Sequence, residues 1–314
     1  MRAGCFAETR VINILNRRFI NYYYNTANGP RPNGAGINDA AKAFTKGKTT
    51  NAWAFFAAFT AEGEPVGVTD IYATKDNVFD FLVNVLRENP DYDRFTAEEE
   101  ALLARAAAQT GNLTAQVEAG KLMEDIGRYT EAEGYYRRVV AAAENTPQVA
   151  ESYRGLLRMA RYGRKWDALE TLCRQIEARP GGAALRLQAD LAMERGYRCN
   201  AEGKYAQLRA LMEKTLKTHP DTKRRSELHF YAGVACFFLK DKDWASYHWC
   251  WVNENLPDDR MARRCFIAAA HEGMPYANPE LGGYRARHPG GNIDVINAAY
   301  ENARLVYERL KEKH

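Results

Sequence analysis

The feature that most constrains the fold of this chain is a turn that recurs at a nearly constant interval. From about residue 96 onward, stretches rich in Ala, Leu, Glu and Arg alternate with short polar turns, and each turn leads into an aromatic residue. The four turns are Gly127-Arg128-Tyr129, Gly163-Arg164-Lys165-Trp166, Gly203-Lys204-Tyr205 and Asp241-Lys242-Asp243-Trp244. Their aromatic residues stand at positions 129, 166, 205 and 244, which gives intervals of 37, 39 and 39 residues. This period predicts helix pairs that bury their apolar faces by stacking on one another.

Two further features recur in step with these turns. Nine residues before each aromatic residue, where the two helices of a pair are expected to cross, the chain has Gly120, Leu157, Gly196 and Ala235. Three of these four residues are small, as the close approach of two helices requires. A proline follows each second helix, at Pro147, Pro180, Pro220 and Pro257. Proline lacks the amide donor that a continuing helix needs, so the pattern predicts four helix pairs between about residues 113 and 257.

Together these residues resemble the tetratricopeptide repeat family over residues 113 to about 257. The Gly-x-Tyr-x-x-Ala turn of Tyr129 and Ala132 is the best single match. One departure is Leu157, which is not small. The alanine that the family has after the turn is replaced in the other three pairs by Leu169, Leu208 and Tyr247. The resemblance implies an all-α superhelix with a concave surface that binds a protein or peptide partner.

Residues 1–90 differ from the repeat region, because strand-like and helix-like segments alternate there. The predicted elements are a helix 8–16, a strand 19–24, a polar loop 25–36, a short helix 39–44, strands 53–59 and 65–68, and a helix 76–88. Such alternation is typical of α/β domains. The predicted fold class is therefore an α/β domain followed by an all-α helical repeat region.

Two segments of this first domain resemble thioredoxin-like proteins. Residues 9–20 (TRVINILNRRFI) are similar to the segment after the family's active-site helix, and residues 57–63 (AAFTAEG) are similar to its β-hairpin. The resemblance implies an incomplete thioredoxin-like domain. However, the chain has no CxxC pair, and residues 51–57 contain no proline where the family's cis-proline would lie. Thiol–disulfide exchange needs a reactive thiolate and a resolving thiol, so we predict no such activity. A thiol–disulfide oxidoreductase whose CxxC lies upstream of Met1 is the alternative.

Composition divides the chain into three parts. Residues 1–90 form the predicted thioredoxin-like domain, residues 91–270 the helical repeats, and residues 271–314 a loop rich in Gly and Pro followed by a helix. One face of this last helix is apolar, and it consists of Ile296, Tyr300, Ala303 and Tyr307. A terminal helix with one apolar face and a charged end is predicted to cap the array.

Charge and hydropathy narrow the possible functions. The 314 residues include 44 basic and 40 acidic side chains, and a net charge of +4 is too small to predict binding to nucleic acid. No apolar run reaches the roughly 20 residues that span a bilayer, so we predict no membrane insertion. The first ten residues lack the apolar stretch of a signal peptide, which predicts a cytoplasmic protein. A start farther upstream would make a secreted or periplasmic protein the alternative.

Motifs for metals, nucleotides and reactive thiols are incomplete. The six cysteines form no CxxC pair, and five lie within helical periodicities, which predicts reduced structural thiols. His248-Trp249-Cys250 and His271-Glu272 lack a second ligand at helical spacing. Gly47-Lys48-Thr49 lacks the upstream glycine of a phosphate-binding loop. We therefore predict no metal, no cofactor and no catalytic residues.

Two stripes of side chains are candidates for partner binding. Arg154, Arg158 and Arg161 are spaced i, i+4 and i+7 on the first helix of the second pair, and the repeat register directs them into the predicted groove. This stripe is either simply solvated or a clamp for acidic or carboxylate-bearing peptides. An aromatic stripe, either core packing or an exposed binding face, consists of Trp244, Tyr247, His248 and Trp251. The sequence predicts a non-enzymatic scaffold that binds its partner through Arg154, Arg158, Arg161, Trp244 and Trp251.

Overall fold

The structure is a computed structural model that describes residues 9–19, 55–60, 65–70, 75–142, 144–273 and 293–312. Within these ranges it contains thirteen α-helices and one two-stranded sheet. Among the described residues after position 91, the predicted helical character is confirmed. The predicted strand 19–24 lies outside the described residues except for Phe19, and the predicted loop 25–36 and helix 39–44 lie outside them entirely. The α/β fold predicted for the first domain stays a prediction.

The chain divides into two compact units, Met1–Leu156 and Leu157–His314. The domain boundaries predicted at residues 90 and 270 rest on composition and stay predictions. In the first unit the described elements are α1 (Thr9–Arg18), β1 (Phe55–Phe59), β2 (Pro65–Asp70), α2 (Lys75–Glu88), α3 (Ala97–Ala108), α4 (Leu113–Asp125), α5 (Tyr129–Ala142) and the larger part of α6 (Pro147–Tyr162). A short 3-10 turn, Pro90–Tyr92, joins α2 to the helices that follow.

The two strands form an antiparallel pair, as the hairpin-like sequence indicates. Phe55 lies opposite Asp70 and Ala57 opposite Val68, and the register changes between Ala58 and Phe59. The helices on either side of this pair in the sequence contact each other. Their shared apolar cluster consists of Val11, Ile14, Val78, Phe79, Leu82 and Leu86. Helix α1 therefore contributes to the core of the first unit by burying Val11 and Ile14.

Charged residues at the end of α1 fasten it to later helices of the same unit. Arg17 pairs with Asp125 of α4 at 3.0 Å. The Arg18 side chain is only 2% exposed and pairs with Asp93 at 3.0 Å and with Glu99 at 3.0 Å. A buried guanidinium needs such partners, because desolvating an unpaired charge costs several kcal/mol, as an order-of-magnitude figure.

The α4–α5 pair shows why a small residue is needed at a helix crossing. The Tyr136 ring lies so close to Gly120 that a Cβ added there would be 2.7 Å from the ring. On α6 of the same unit, a Cβ added to Gly155 would be 2.3 Å from it. The Tyr136 hydroxyl donates a hydrogen bond to Glu124 Oε2 at 2.8 Å, and both side chains are buried. Two glycines thus make room for one fully buried tyrosine. The sequence pattern identified Gly120 as one of them but did not identify Gly155.

The second unit contains the rest of α6 and seven further described helices. These are α7 (Trp166–Glu177), α8 (Gln188–Ala201), α9 (Tyr205–Thr218), α10 (Arg225–Phe238), α11 (Lys242–Asn255), α12 (Ala262–Gly273) and α13 (Ile293–Lys311). Consecutive helices among α8 to α13 contact one another. The short connections between consecutive helices from α8 to α12 give antiparallel neighbours. Helix α13 packs on α11 and α12 and buries Tyr300, Ala303 and Tyr307, which is the apolar face that its sequence predicts.

The recurring turn has the same backbone conformation in all four places. One residue in each turn has a positive φ, namely Gly127 (81°), Arg164 (51°), Gly203 (69°) and Lys240 (66°). In the first turn, the Arg128 amide donates to the Met123 carbonyl at 2.8 Å and the Gly127 amide to the Glu124 carbonyl at 3.2 Å. The other three turns have the corresponding pair of bonds. This pattern is the Schellman helix end, which satisfies carbonyls that the helix leaves unpaired.

The structure corrects one detail of the predicted turns, which is the start of the helix after the fourth turn. In the second turn the left-handed residue is Arg164. In the fourth turn it is Lys240, and α11 begins at Lys242, two residues before Trp244. The sequence pattern located the turns by glycine and aromatic residues, whereas helix-end hydrogen bonds determine which residue takes the positive φ.

Candidate functional site

The three arginines of the predicted clamp lie half-buried on α6. Arg154, in the first unit, pairs with Glu151 one turn earlier at 3.4 Å. Arg161, in the second unit, places Nε 2.9 Å from Glu194 Oε2, and its guanidinium lies 4.5 Å from the Tyr162 ring centroid. The structure therefore gives Arg154 and Arg161 acidic partners within the chain. Their binding to a partner protein stays a prediction.

Glu194 is the carboxylate around which the second-unit arginines gather. It lies on α8, and only 2% of the residue is exposed. Burial raises the pKa of this carboxyl group, and the guanidinium groups of Arg161, Arg224 and Arg158 oppose the rise. Arg161 contacts Glu194 directly, and the charge of Arg158 also favours the ionised form of this carboxyl group. The site is an acidic group in a low-dielectric setting with three positive charges near it.

A second group of ion pairs continues from α8 to the start of α10. Arg224 pairs with Asp190 at 2.8 Å and with Glu227 at 2.6 Å. Glu227 also pairs with Arg260. Asp190 and Glu227 are each less than a tenth exposed. We call the set of Arg158, Arg161, Asp190, Glu194, Arg224, Glu227 and Arg260 the charge network.

The acidic half of the charge network was missed by the sequence analysis. Asp190 and Glu194 are spaced i, i+4 on one helix, and this spacing was the available signal. Isolated acidic residues on a helix are usually solvated, so only the fold shows that these two are buried. Tyrosines border the network: the rings of Tyr197 and Tyr231 meet edge to face, with centroids 5.1 Å apart. The network thus offers charged hydrogen-bonding groups beside aromatic surface.

The predicted aromatic stripe lies on α11 and packs partly against a core cluster of the second unit. Trp251 stacks on His229, with ring centroids 3.9 Å apart, and the Arg225 guanidinium lies 4.3 Å from the Trp251 ring centroid. Trp244 meets Tyr247 edge to face at 5.0 Å. Both tryptophans are half-buried. The stripe therefore contributes to packing and also leaves part of each indole exposed, and its role in binding stays a prediction.

His248 of this stripe forms a buried pair with His229 of α10. His229 Nδ1 and His248 Nδ1 are 3.0 Å apart, so one ring nitrogen must donate the hydrogen bond and the other must accept it. Burial lowers the pKa of both imidazoles. His248 Nε2 lies 3.8 Å from Glu213 Oε1. The same Glu213 oxygen accepts a hydrogen bond from Arg209 Nε at 2.7 Å.

The described cysteines are free thiols, and four of the five are fully buried. Burial raises the pKa of Cys173, Cys236, Cys250 and Cys265 to about 12. A thiol with a raised pKa stays protonated at neutral pH and is a weak nucleophile. The thiols of Cys173, Cys250 and Cys265 therefore fit the predicted structural role. Cys5 lies outside the described residues.

Among the described helices, none is both long and apolar enough to cross a membrane. Comparison of the chain with protein-family models and with curated proteins finds no match.

Proposed function

We propose that this chain is a protein-interaction scaffold, in which tetratricopeptide-like helix pairs bind an acidic segment of a partner protein. A degenerate thioredoxin-like domain at residues 1–90 is part of the same proposal. The observation that carries it is the recurrence of one helix-end turn at residues 127, 164, 203 and 240. Stacked helix pairs of this kind form extended surfaces, and repeat proteins use such surfaces to bind partners.

The charge network supports an acidic partner. Its four arginines, Arg158, Arg161, Arg224 and Arg260, lie among three carboxylates, Asp190, Glu194 and Glu227. Because Glu194 is buried, its ionised form is disfavoured, and it balances the neighbouring arginines less well than an exposed carboxylate would. A partner carboxylate at the edge of the network would restore this balance and form charge-assisted hydrogen bonds.

Arg158 is the residue at which we test this proposal. It is half-buried, and its positive charge favours the ionised form of Glu194. Reversing its charge should therefore reduce the attraction for an acidic segment while keeping the Arg161–Glu194 pair. Charge-assisted contacts contribute about 1.5–3 kcal/mol, whereas exposed ion pairs contribute about 0–1 kcal/mol. The magnitude of the loss thus distinguishes a clamp from a solvated stripe.

The experiment compares the full-length wild type with Arg158→Glu and with Lys217→Glu, an exposed charge reversal on α9 that serves as the control. A partner is first captured on the wild type, and the affinities of all three proteins for it are then measured by fluorescence anisotropy. We expect Arg158→Glu to bind about tenfold more weakly or worse, and the loss to shrink at high salt. Equal affinity of Arg158→Glu and wild type at low ionic strength would contradict the proposal.

A further inference from the structure

Three helices of the second unit bring a glutamate, a cysteine and a histidine together. Glu213 lies on α9, Cys236 on α10 and His248 on α11. One ligand atom of each residue lies within 4.8 Å of those of the other two. The residues are 23 and 12 positions apart in the chain, so no local motif connects them. Thiolate, imidazole and carboxylate are the three kinds of ligand that zinc accepts in proteins.

The orientation of His248 is an independent observation that points to a ligand. Its Nε2 atom is buried and has no hydrogen-bond partner. The 3.8 Å separation from Glu213 Oε1 is too long for a hydrogen bond. Buried polar atoms are nearly always hydrogen-bonded, and leaving one unpaired costs about 1–3 kcal/mol. This nitrogen faces a carboxylate that it does not reach, and a cation between them would give the nitrogen a partner.

The neighbouring side chains also suit a metal-binding imidazole. His229 contacts His248 through the two Nδ1 atoms at 3.0 Å, and if His248 donates this bond its Nε2 lone pair is left for a metal. Metal-bound histidines are commonly held by such a bond through their other ring nitrogen. Arg209 donates a hydrogen bond to Glu213 at 2.7 Å and also pairs with Asp241 at 2.7 Å, which fixes the carboxylate.

We propose that Glu213, Cys236 and His248 bind one Zn²⁺ ion, with a water molecule as the fourth ligand. Sulfur and nitrogen ligands favour zinc over calcium or magnesium, which prefer oxygen. On binding, the Cys236 thiol gives up its proton to solvent and a zinc–sulfur bond forms, with no change of oxidation state. The Glu213 side chain is 40% exposed and gives the ion an entry path, whereas the Cys236 side is buried.

The test uses the full-length chain after metal has been removed with a chelator. Zn²⁺ is titrated in competition with a chromophoric chelator, and Co²⁺ is added separately to record visible absorption and the thiolate-to-cobalt charge-transfer band. We expect one equivalent of Zn²⁺ to bind to the wild type. Cys236→Ala should bind it at least about 100-fold more weakly and lose the charge-transfer band. The control Cys265→Ala removes another buried thiol of the same unit and should keep both.

Two further variants keep the test decisive if Cys236→Ala does not fold, as judged by far-ultraviolet circular dichroism. Glu213→Gln changes a half-exposed residue and should weaken Zn²⁺ binding while leaving the spectrum of the metal-free protein unchanged. His229→Phe keeps an aromatic ring against Trp251 but removes the bond to His248, and should weaken binding about 10- to 100-fold. Absence of stoichiometric Zn²⁺ binding by the wild type, or unchanged binding by folded Cys236→Ala or Glu213→Gln, would overturn the proposal.

Discussion

Adding one methyl group at Gly155 should destabilise the first unit, although the same change usually strengthens a helix. The new Cβ would lie 2.3 Å from Cε2 of the Tyr136 ring. The ring cannot retreat, because Gly120 faces it so closely that a Cβ there would also be only 2.7 Å away. Overpacking of this kind costs about 1–3 kcal/mol. Any shift of the ring also strains the bond from its hydroxyl to buried Glu124, whose loss costs about 1–3 kcal/mol more.

The expected net effect follows from these terms. Replacing glycine by alanine within a helix gains about 0.5–1 kcal/mol, so Gly155→Ala should lower the free energy of unfolding by about 3 kcal/mol. The matched control is Gly134→Ala on α5, where a Cβ would meet nothing within 4 Å, and this variant should gain about 0.5–1 kcal/mol. Urea unfolding followed by circular dichroism measures the free energy of unfolding of both variants. The unfolding transition that occurs at the lower urea concentration is compared between them. If Gly155→Ala is as stable as Gly134→Ala, the packing of Tyr136 between Gly120 and Gly155 is refuted.

Three other predictions concern the turns, the charge network and the amino-terminal domain. Lys240→Gly should raise the free energy of unfolding by about 1 kcal/mol, because Lys240 has a φ of 66°, while Lys240→Ala should not; equal effects in urea unfolding would count against the left-handed turn. Because burial raises the pKa of Glu194, the folded state holds this proton more tightly than the unfolded state. Its contribution to stability is therefore present at low pH and is lost as the pH rises above the ordinary carboxyl range. Urea unfolding across the acidic range should show this decline in the wild type but not in Glu194→Gln. The same dependence of stability on pH in both proteins would contradict the raised pKa of Glu194. The chain should not catalyse insulin disulfide reduction by dithiothreitol, since its sequence has no CxxC; turnover that Cys5→Ser abolishes would show otherwise.

The helical part of this fold was predictable because its signals are local. Gly127 and Gly203 supply the positive φ that a helix end favours, and the aromatic residues after the turns mark the next helix. The α13 face was predictable for a similar reason, since Tyr300, Ala303 and Tyr307 follow helical spacing. In the turns with Arg164 and Lys240, helix-end hydrogen bonding overrides residue preference, and sequence alone does not show this.

Most of the candidate site could not be predicted, because its contacts join residues far apart in the chain. Arg161 was identified by its spacing, but its partner Glu194 lies 33 residues later and gives no motif. Gly155 was missed because its constraint comes from Tyr136 on another helix. The proximity of Glu213 and His248 was also missed, because it depends on how three helices pack.

Hydrogen–deuterium exchange in the presence of the captured partner tests the scaffold proposal most directly. Peptides from α6, α8 and α10 carry most of the charge network, and the proposal places the bound segment against them. We expect slower exchange in these three helices when the partner is bound, and a smaller change with Arg158→Glu at the same concentrations. Protection confined to α7, α9 and α11, or to residues 9–89, would contradict the proposed binding surface.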